Sequence, residues 1–254
     1  MLKILNARRH QGYRTGGFPN VEPTMPDRFR GLPQLDRGRC PDGCQECVDV
    51  CPTSAIQANG DLHLDLGRCL FCTECTDACP EGAITFTRDY RLAARERDGL
   101  VISEQQGLRL ADALSDKIRS LYGRSLAIRV VSAAGCNACE ADVNVLSTVV
   151  FDLSRFGIHV VASPRHADAM IVTGPVSENM REAVRLTYEA IPNPKFVIAV
   201  GACAISGGPF VDHPEVHNGA GSVVPVDLYI PGCPPHPYTI LDGILRVLGR
   251  VQAN

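Results

Sequence analysis

The sequence predicts a small α+β domain followed by a larger α/β domain that contains a parallel sheet. Two runs of four cysteines with nearly equal spacing lie between residues 40 and 79, and they mark the small domain. After residue 125, short apolar segments alternate with segments of helical periodicity, which is typical of buried parallel strands joined by helices. The length of 254 residues is sufficient for each domain to have its own core.

The composition excludes several classes of function. The chain has 25 Lys and Arg against 28 Asp and Glu, which argues against nucleic acid as a partner because nucleic-acid-binding domains normally present a basic face. No segment approaches the roughly 18 consecutive apolar residues of a transmembrane helix, so contact with a membrane is expected to come through partner subunits. The pair Arg8-Arg9 is followed by polar residues, which excludes a twin-arginine export signal and predicts a cytoplasmic protein with reduced thiols.

Residues 1–36 form the first segment, which is rich in proline and glycine and has only scattered apolar residues. Such a composition does not bury a core of its own. The segment is therefore either a disordered tail or an extended arm that lies on a neighbouring subunit, and the sequence leaves both interpretations open.

Residues 37–87 contain the two cysteine runs and are predicted to form a ferredoxin-like domain. The second run has the C-x2-C-x2-C-x3-C-P spacing that holds [4Fe–4S] clusters in bacterial ferredoxins. In two-cluster ferredoxins the last cysteine of each run ligates the other cluster. We therefore assign the eight cysteines to two crossed sets, which are Cys40, Cys44, Cys47 with Cys79, and Cys69, Cys72, Cys75 with Cys51. Both runs are followed at the same offset by an Ala-Ile pair, Ala55-Ile56 and Ala83-Ile84, which indicates a duplicated unit.

The first run departs from this pattern by one residue. Three residues, Pro41-Asp42-Gly43, separate Cys40 from Cys44 where the usual number is two. A proline and a glycine allow a turn that absorbs the extra residue, so Cys40 is still expected to be a ligand. A disulfide scaffold is the alternative for so many cysteines. The chain is much larger than disulfide-rich mini-proteins, and no signal peptide is recognised, so clusters are favoured.

Residues 88–124 are predicted to connect the two domains. A charged stretch is followed by apolar residues at helical spacing, which indicates a helix with one buried stripe that ends near Gly123. The apolar positions of this helix are Leu110, Leu114, Ile118 and Leu121.

Residues 125–254 are predicted to form a flavodoxin-like, doubly wound parallel sheet. Continuous apolar runs indicate strands that are covered on both faces. The expected strands are Leu126 to Val131, Ile158 to Ala162, Ala169 to Val172, Phe196 to Val200 and Val226 to Ile230. The expected helices lie near residues 138–153, 178–190 and 237–249.

Four further cysteines follow the predicted strands of this domain. Cys136 and Cys139 come after the first strand, Cys203 after the fourth and Cys233 after the fifth. Because the carboxyl ends of parallel strands meet at one edge of a sheet, these four thiols are expected to converge. Zinc and a redox-active C-x-x-C pair are alternatives for such a set. A third [4Fe–4S] cluster is favoured over these alternatives, because together with the two clusters upstream it would form an electron relay.

Several motifs resemble those of known electron-transfer subunits. The α/β part is similar to the small subunit of group 4 membrane-bound NiFe hydrogenases, such as formate hydrogenlyase. The motifs are Gly135-Cys136-Asn137-Ala138-Cys139-Glu140, Phe156-Gly157-Ile158, Ser163-Pro164-Arg165-His166-Ala167-Asp168, Gly201-Ala202-Cys203 and Ile230-Pro231-Gly232-Cys233-Pro234-Pro235. The cluster-bearing subunit of respiratory complex I is also similar, but it typically has two adjacent cysteines in place of Cys136-x-x-Cys139, so the spacing favours the hydrogenase branch.

The first hundred residues, with Phe29-Arg30-Gly31 and the duplicated cysteine runs, resemble the separate ferredoxin-like subunit of the same complexes. The chain therefore looks like a fusion of two subunits that are normally adjacent. This resemblance implies an electron-transfer subunit with three [4Fe–4S] clusters and no catalytic centre of its own.

The resemblance also implies the partners. The cluster at Cys136, Cys139, Cys203 and Cys233 would face a large subunit with the NiFe centre, and the other two clusters would lead to an electron-donor subunit or a soluble carrier. Membrane subunits of the same complex would place the chain peripherally at the cytoplasmic face of the membrane.

Two acidic residues lie next to the third set of cysteines. Relatives commonly have an acid three positions after the second cysteine, where this chain has Asp142, and Glu140 adjoins Cys139. Each is interpreted either as a proton-handling residue or as an acid that stabilises the helix N-terminus through the macrodipole.

Two other functions are compatible with these motifs. One is a component of a complex-I-like quinone reductase or related ion pump without a NiFe centre, and the other is a free-standing soluble ferredoxin fusion. Two C-x-x-C motifs in a companion large subunit would select the hydrogenase, whereas the soluble fusion requires the chain to be stable and monomeric alone.

Overall fold

The computed structural model describes residues 2–58, 60–115, 120–122 and 124–251. Within them, a small α+β domain with antiparallel strands precedes an α/β domain with a five-stranded parallel sheet, as the sequence predicts. No helix in this part of the chain is both long enough and apolar enough to span a membrane.

The N-terminal segment lies on the chain itself, which differs from both interpretations drawn from its composition. Helix α1 (Leu2–Gln11) is exposed throughout, but the extended segment that follows it contains Phe18 and Met25, which are both buried. The Phe18 ring packs against the rings of Tyr90 and Tyr238. Few apolar residues of this segment are needed for the packing, because most of the core that they join consists of residues from other elements.

The small domain contains two antiparallel sheets and two short helices. Its elements are β1 (Pro33–Leu35), α2 (Glu46–Asp49), β2 (Ile56–Gln57), β3 (His63–Asp65), α3 (Glu74–Ala78), β4 (Ile84–Phe86) and β5 (Val101–Ser103). Strand β1 pairs with β4, and β3 lies between β2 and β5. Because β1 and β5 fall outside residues 37–87, the small domain extends beyond the predicted range at both ends.

The connecting segment is irregular over the first part of the predicted helix that the structure describes, residues 110–115. Leu110 and Leu114 lie in irregular backbone, residues 120–122 are helical, and Ile118 is outside the described residues. The Leu114 N–H donates to the Val247 carbonyl, with 2.9 Å between nitrogen and oxygen. Leu114 is therefore buried where the segment docks onto the C-terminal helix, whereas Leu121 is 53% exposed.

The larger domain has the order β10-β9-β8-β6-β7, and every neighbouring pair of strands is parallel. The strands are β6 (Leu126–Ser132), β7 (Ile158–Val160), β8 (Ala169–Thr173), β9 (Phe196–Val200) and β10 (Leu228–Ile230). The helices are α4 (Ala138–Val145), α5 (Glu178–Ala190), α6 (Ala202–Ser206) and α7 (Pro237–Val247). Helix α4 is shorter than the predicted helix near 138–153, because turns and a short 3-10 helix (Leu153–Phe156) follow it.

Both faces of this sheet are covered, which explains its continuous apolar strands. On one face, Ile198 belongs to a core that includes Val143 of α4 and Ile240 of α7. On the other face, Val197 shares a core with Ile205 of α6 and with much of the small domain. The small domain is therefore packed directly onto the sheet, next to the carboxyl ends of its strands.

Candidate functional site

The first set of predicted ligands surrounds one cavity. Cys40, Cys44, Cys47 and Cys79 all line it, so the last cysteine of the second run does lie beside the first run. A turn accommodates the additional residue between the first two cysteines: Gly43 has a φ of +74°, and the Cys44 N–H donates to the Pro41 carbonyl at 3.2 Å. Glycine adopts this conformation without steric cost.

The second set surrounds another cavity. Cys51, Cys69, Cys72 and Cys75 line it together, so the last cysteine of the first run lies beside the second run. Helices α2 and α3 pack against each other and carry the third cysteine of each run, so the two cavities lie side by side.

Backbone N–H groups are aimed at the sulfurs of the crossing cysteines. The Ala55 nitrogen lies 3.2 Å from Cys51 Sγ, and the Ala83 nitrogen lies 3.3 Å from Cys79 Sγ. These alanines are the residues that repeat after each Cys-Pro pair, so the repeat has a physical reason that the sequence alone does not reveal. Hydrogen bonds of this kind orient metal ligands and stabilise thiolate sulfur.

The third set lies at the carboxyl ends of the parallel strands. Cys139 is in the first turn of α4, Cys203 is in α6 after β9, and Cys136 and Cys233 are exposed beside them. Burial raises the pKa of Cys139, and the charges of Cys203, Cys233 and Cys136 raise it further, so the four thiols lie within electrostatic reach of one another.

Gly201 allows Cys139 Sγ, one of the four sulfurs of the third set, to approach the backbone closely. Its φ is +90°, and a Cβ atom added there would lie 2.5 Å from Cys139 Sγ. Only glycine provides both this conformation and this clearance.

The electrostatics of the thiols fit a bound cationic centre. Burial raises the pKa of Cys69 to about 12, and burial with the charges of neighbouring cysteines raises that of Cys203 to about 11. Such thiols are protonated at neutral pH when free, whereas metal coordination deprotonates them. Soft thiolates in sets of four are the ligands of iron–sulfur clusters, so the residues present fit such clusters.

The cysteines do not form a disulfide scaffold in this structure, since all twelve are free thiols. Among the described residues, no group of three or more His, Cys, Asp or Glu side chains could hold a single metal ion.

The three sets are connected in space. Burial raises the pKa of Cys47 to about 11, and the next contributions come from Cys40 and from Cys75 of the second set. Burial, Cys136 and then Cys72 raise the pKa of Cys233, which joins the second set to the third. Helices α2 and α3 pack between the first two sets, and Leu70 and Phe71 line a pocket with Cys233, so the spatial order is first set, second set, third set.

Hydrogen bonds fix the small domain beside the third set. The buried Ser206 hydroxyl of α6 donates to the Gly67 carbonyl at 2.9 Å. Arg30 Nη1 donates to the Phe71 carbonyl, also at 2.9 Å, which holds the Phe29-Arg30-Gly31 motif next to the second set. The sequence alone did not identify Ser206, because neither its spacing nor its residue type marks it as a contact.

Glu140 and Asp142 have different environments. Glu140 is buried, and its Oε1 accepts hydrogen bonds from Ser132 Oγ and Thr173 Oγ1, both at 2.6 Å. Burial opposes ionisation of Glu140, but these hydrogen bonds outweigh it and lower its pKa. Burial raises the pKa of Asp142, which lines a pocket together with Cys233. The Glu140 carboxylate is therefore ionised and held by the hydroxyl groups of Ser132 and Thr173, at the ends of β6 and β8. Asp142 is the acidic residue that lines the pocket beside Cys233.

Two ferredoxin-type thiol sets, joined in space to a third at the edge of a parallel sheet, define an iron–sulfur electron-transfer protein. The chain belongs to the family described as NADH ubiquinone oxidoreductase, 20 Kd subunit, whose model matches residues 136–247. A model described as a 4Fe-4S dicluster domain matches residues 39–83.

Relatives come from both hydrogenases and quinone reductases. The chain is 42% identical over 129 residues to "Probable membrane-bound hydrogenase subunit mbhJ" of Pyrococcus furiosus, covering 51% of this chain and 77% of that protein. It is 38% identical over 161 residues to "Formate hydrogenlyase subunit 7" of Escherichia coli, covering 63% of each. It is 48% identical over 119 residues to a subunit of the NADH-quinone oxidoreductase of Carboxydothermus hydrogenoformans, covering 46% of this chain and 72% of that protein.

Proposed function

We propose that the chain is the electron-transfer subunit of a membrane-associated NiFe hydrogenase complex, and that it relays electrons through three [4Fe–4S] clusters. The observation that carries this proposal is the spatial order of the three cysteine sets. Helices α2 and α3 pack against each other between the first set and the second, and Leu70 and Phe71 of the second run line a pocket together with Cys233 of the third set. A relay requires such an order, whereas three independent structural metal sites do not.

Each set of four cysteines would hold one cluster. When bound, a [4Fe–4S] cluster accepts and releases electrons at a potential that its surroundings determine. The cysteines supply the thiolate ligands, and the N–H groups of Ala55 and Ala83 donate to sulfur and so favour its negative charge. Phe71 is buried beside the second set and also lines the pocket that contains Cys233.

The third set would face the catalytic partner. Cys136 and Cys233 are exposed, so this edge of the sheet is accessible to a large subunit with a NiFe centre. The first set, at the other end of the series, would exchange electrons with an electron-donor subunit or a soluble carrier. Membrane subunits of the complex would hold the chain peripherally at the cytoplasmic face.

The fold supports the domain assignment. Numbered within the α/β domain from β6 onward, the strand order is 2-1-3-4-5, which is the order of the flavodoxin-like doubly wound fold. In that fold, binding sites lie beyond the carboxyl ends of the strands, where the third set lies. We retain residues 125–254 as this domain, and we place the small domain between β1 and β5.

A complex-I-like quinone reductase is the second candidate. The family description and the 48% identity to a NADH-quinone oxidoreductase component favour it. The C-x-x-C spacing of Cys136 and Cys139 favours the hydrogenase, since the complex I protein typically has adjacent cysteines at this point. Percentage identity does not decide between them, because the relatives of both kinds fall in a narrow range.

Metal analysis of the purified complex tests the proposal. We expect nickel together with iron, and reduction of the clusters in this chain when hydrogen is supplied. If the complex contains iron but no nickel, and if only quinol or another donor reduces its clusters, the hydrogenase assignment is wrong. The result would instead assign the chain to a quinone reductase.

A further inference from the structure

One buried hydroxyl group connects the backbone beside the second cysteine set with the backbone beside the third. Ser206 is the last residue of α6 and is 9% exposed. Its Oγ lies 2.9 Å from the Gly67 carbonyl oxygen and 3.1 Å from the Ala202 carbonyl oxygen. The hydroxyl therefore donates to two carbonyl groups, one in each domain.

Both of these carbonyl groups are close in the chain to predicted ligands. Ala202 directly precedes Cys203 of the third set, so its carbonyl carbon is bonded to the Cys203 nitrogen. Gly67 lies two residues before Cys69 of the second set. A continuous series of covalent bonds and hydrogen bonds thus runs from Cys203 through the hydroxyl group to Cys69. No other described residue donates to the Gly67 carbonyl, so this connection depends on the hydroxyl at its midpoint.

The backbone between Gly67 and Cys69 is also held from within the small domain. Thr53 is 3% exposed, and its Oγ1 donates to the Arg68 carbonyl at 2.7 Å. The Gly67 N–H donates to Asp65 Oδ1 at 2.9 Å. The hydroxyl of α6 therefore contacts a segment that is already fixed by two hydrogen bonds of its own domain. A hydrogen bond between two fixed segments determines how far apart they lie.

Side-chain packing leaves no free space at this contact. A Cβ atom added at Gly67 would lie 2.8 Å from Ile205 Cγ2 and 2.8 Å from the Arg97 guanidinium carbon. Ile205, the neighbour of the hydroxyl-bearing residue in α6, belongs to the same core as Leu66 of the small domain. Helix α6 is therefore pressed directly against the backbone that leads to Cys69, and the absence of a side chain at position 67 permits this approach.

We propose that Ser206 is a positioning residue for electron transfer between the second and third cysteine sets. Its hydroxyl group fixes the separation of the two sites and connects them through bonded atoms. Electron tunnelling weakens steeply with distance and is more effective through bonded atoms than across a gap. This role rests on the proposed function, because it requires clusters at both sites. Iron for only two clusters in the wild-type chain would contradict the proposed function, whereas the test below addresses Ser206 alone and needs neither nickel nor a catalytic partner.

The test measures the magnetic interaction between clusters in the purified full-length chain after reduction with dithionite. This interaction decreases steeply with separation, so electron paramagnetic resonance reports how far apart the second and third sites lie. Cys139→Ser identifies the part of the spectrum that depends on the third site. Ser206→Ala should weaken the interaction between the second and third sites, while iron stays at about twelve per chain. Ser206→Thr keeps the hydroxyl group and should restore the interaction. The interaction between the first and second sites, which both lie in the small domain, should not change.

Ser222→Ala is the matched control for loss of a hydroxyl group. Ser222 Oγ donates to the carbonyls of His217 and Gly219, at 2.5 and 2.9 Å, within a loop of the same domain. Its removal should leave the magnetic interaction at the wild-type value. Gly67→Ala is a second way to disturb the contact, because it keeps the hydroxyl but inserts a methyl group that would lie 2.8 Å from Ile205 Cγ2. It should also weaken the interaction.

An unchanged interaction in Ser206→Ala would overturn the proposal, and so would equal weakening in Ser222→Ala. If Ser206→Ala loses iron, Gly67→Ala decides, and an unchanged interaction in that variant overturns the proposal. Loss of iron from both variants would show that the contact serves stability alone, which is also contrary to the proposed role.

Discussion

Cys72 and Cys233 belong to different domains, yet the charge of Cys72 contributes to the raised pKa of Cys233, after burial and Cys136. Cys72 is in the ferredoxin-type run of the small domain, and Cys233 follows the last strand of the parallel sheet. Their proximity makes the second and third cysteine sets neighbours. In the proposed relay, electrons that enter at the first set would reach the third set within this chain.

The number of clusters is the first prediction. Three sets of four cysteines should hold about twelve irons and about twelve acid-labile sulfides per chain, because each [4Fe–4S] cluster contains four of each. Iron and sulfide assays on anaerobically purified protein measure this. If zinc occupies the third set instead, iron will reach only about eight and the relay cannot extend to the α/β domain.

Single ligand replacements should separate the sites. Cys139→Ser should abolish electron transfer to the catalytic partner, while dithionite still reduces both ferredoxin-type clusters. Cys72→Ser should block transfer from external donors and leave the third cluster in place. Electron paramagnetic resonance of the reduced proteins checks both outcomes, and loss of the same signals in the two variants would contradict the separation into sets.

Glycine at position 201 should be essential for the third site. Gly201→Ala introduces a Cβ atom that would lie 2.5 Å from Cys139 Sγ, at a φ of +90° that alanine rarely adopts. We expect iron to fall from about twelve to about eight per chain, since the other two sets are untouched.

Gly221→Ala is the control for this replacement. No atom lies within 4 Å of a Cβ placed there, so iron should stay at the wild-type level. Full iron in Gly201→Ala would show that the sulfur does not need the space that glycine leaves.

The buried part of the N-terminal segment should stabilise the fold. Phe18→Ala removes a ring that is 4% exposed and packs on Tyr90 and Tyr238, so the free energy of unfolding should fall by about 3 kcal/mol. Anaerobic denaturant unfolding measures the change. Tyr13→Ala removes an exposed ring of the same segment and should have little effect on stability. Equal stability of the two variants would mean that the segment contributes no packing.

A chain that begins at residue 34 combines these effects. It loses Phe18 and Met25, so we expect lower stability in addition to any loss of attachment to partner subunits. The cysteine ligands all lie downstream of residue 34, so the iron content should remain that of the intact chain.

The sequence by itself determined the local parts of the sites. Close cysteine spacing restricts three thiols to one loop, and this constraint does not depend on the rest of the fold. The apolar runs likewise predicted the five strands, because a strand covered on both faces needs a continuous apolar sequence. Strands β8 and β9 are buried at every residue, whereas β7, at the edge of the sheet, is buried only at Ile158. The crossed assignment of Cys51 and Cys79 came from the ligand pattern of two-cluster ferredoxins, and the structure places each of these cysteines beside the other run.

Only the tertiary structure decided how these parts meet. The position of Phe18 against Tyr90, the contact of Ser206 with Gly67 and the proximity of Cys72 to Cys233 join residues that are far apart in the chain. The predicted connecting helix is not present at Leu110 and Leu114, although residues 120–122 are helical. Helical spacing records where apolar residues occur, but Leu114 buries its side chain in irregular backbone that docks onto the C-terminal helix. Which surface an apolar residue packs against depends on the arrangement of all elements, and local spacing does not contain that information.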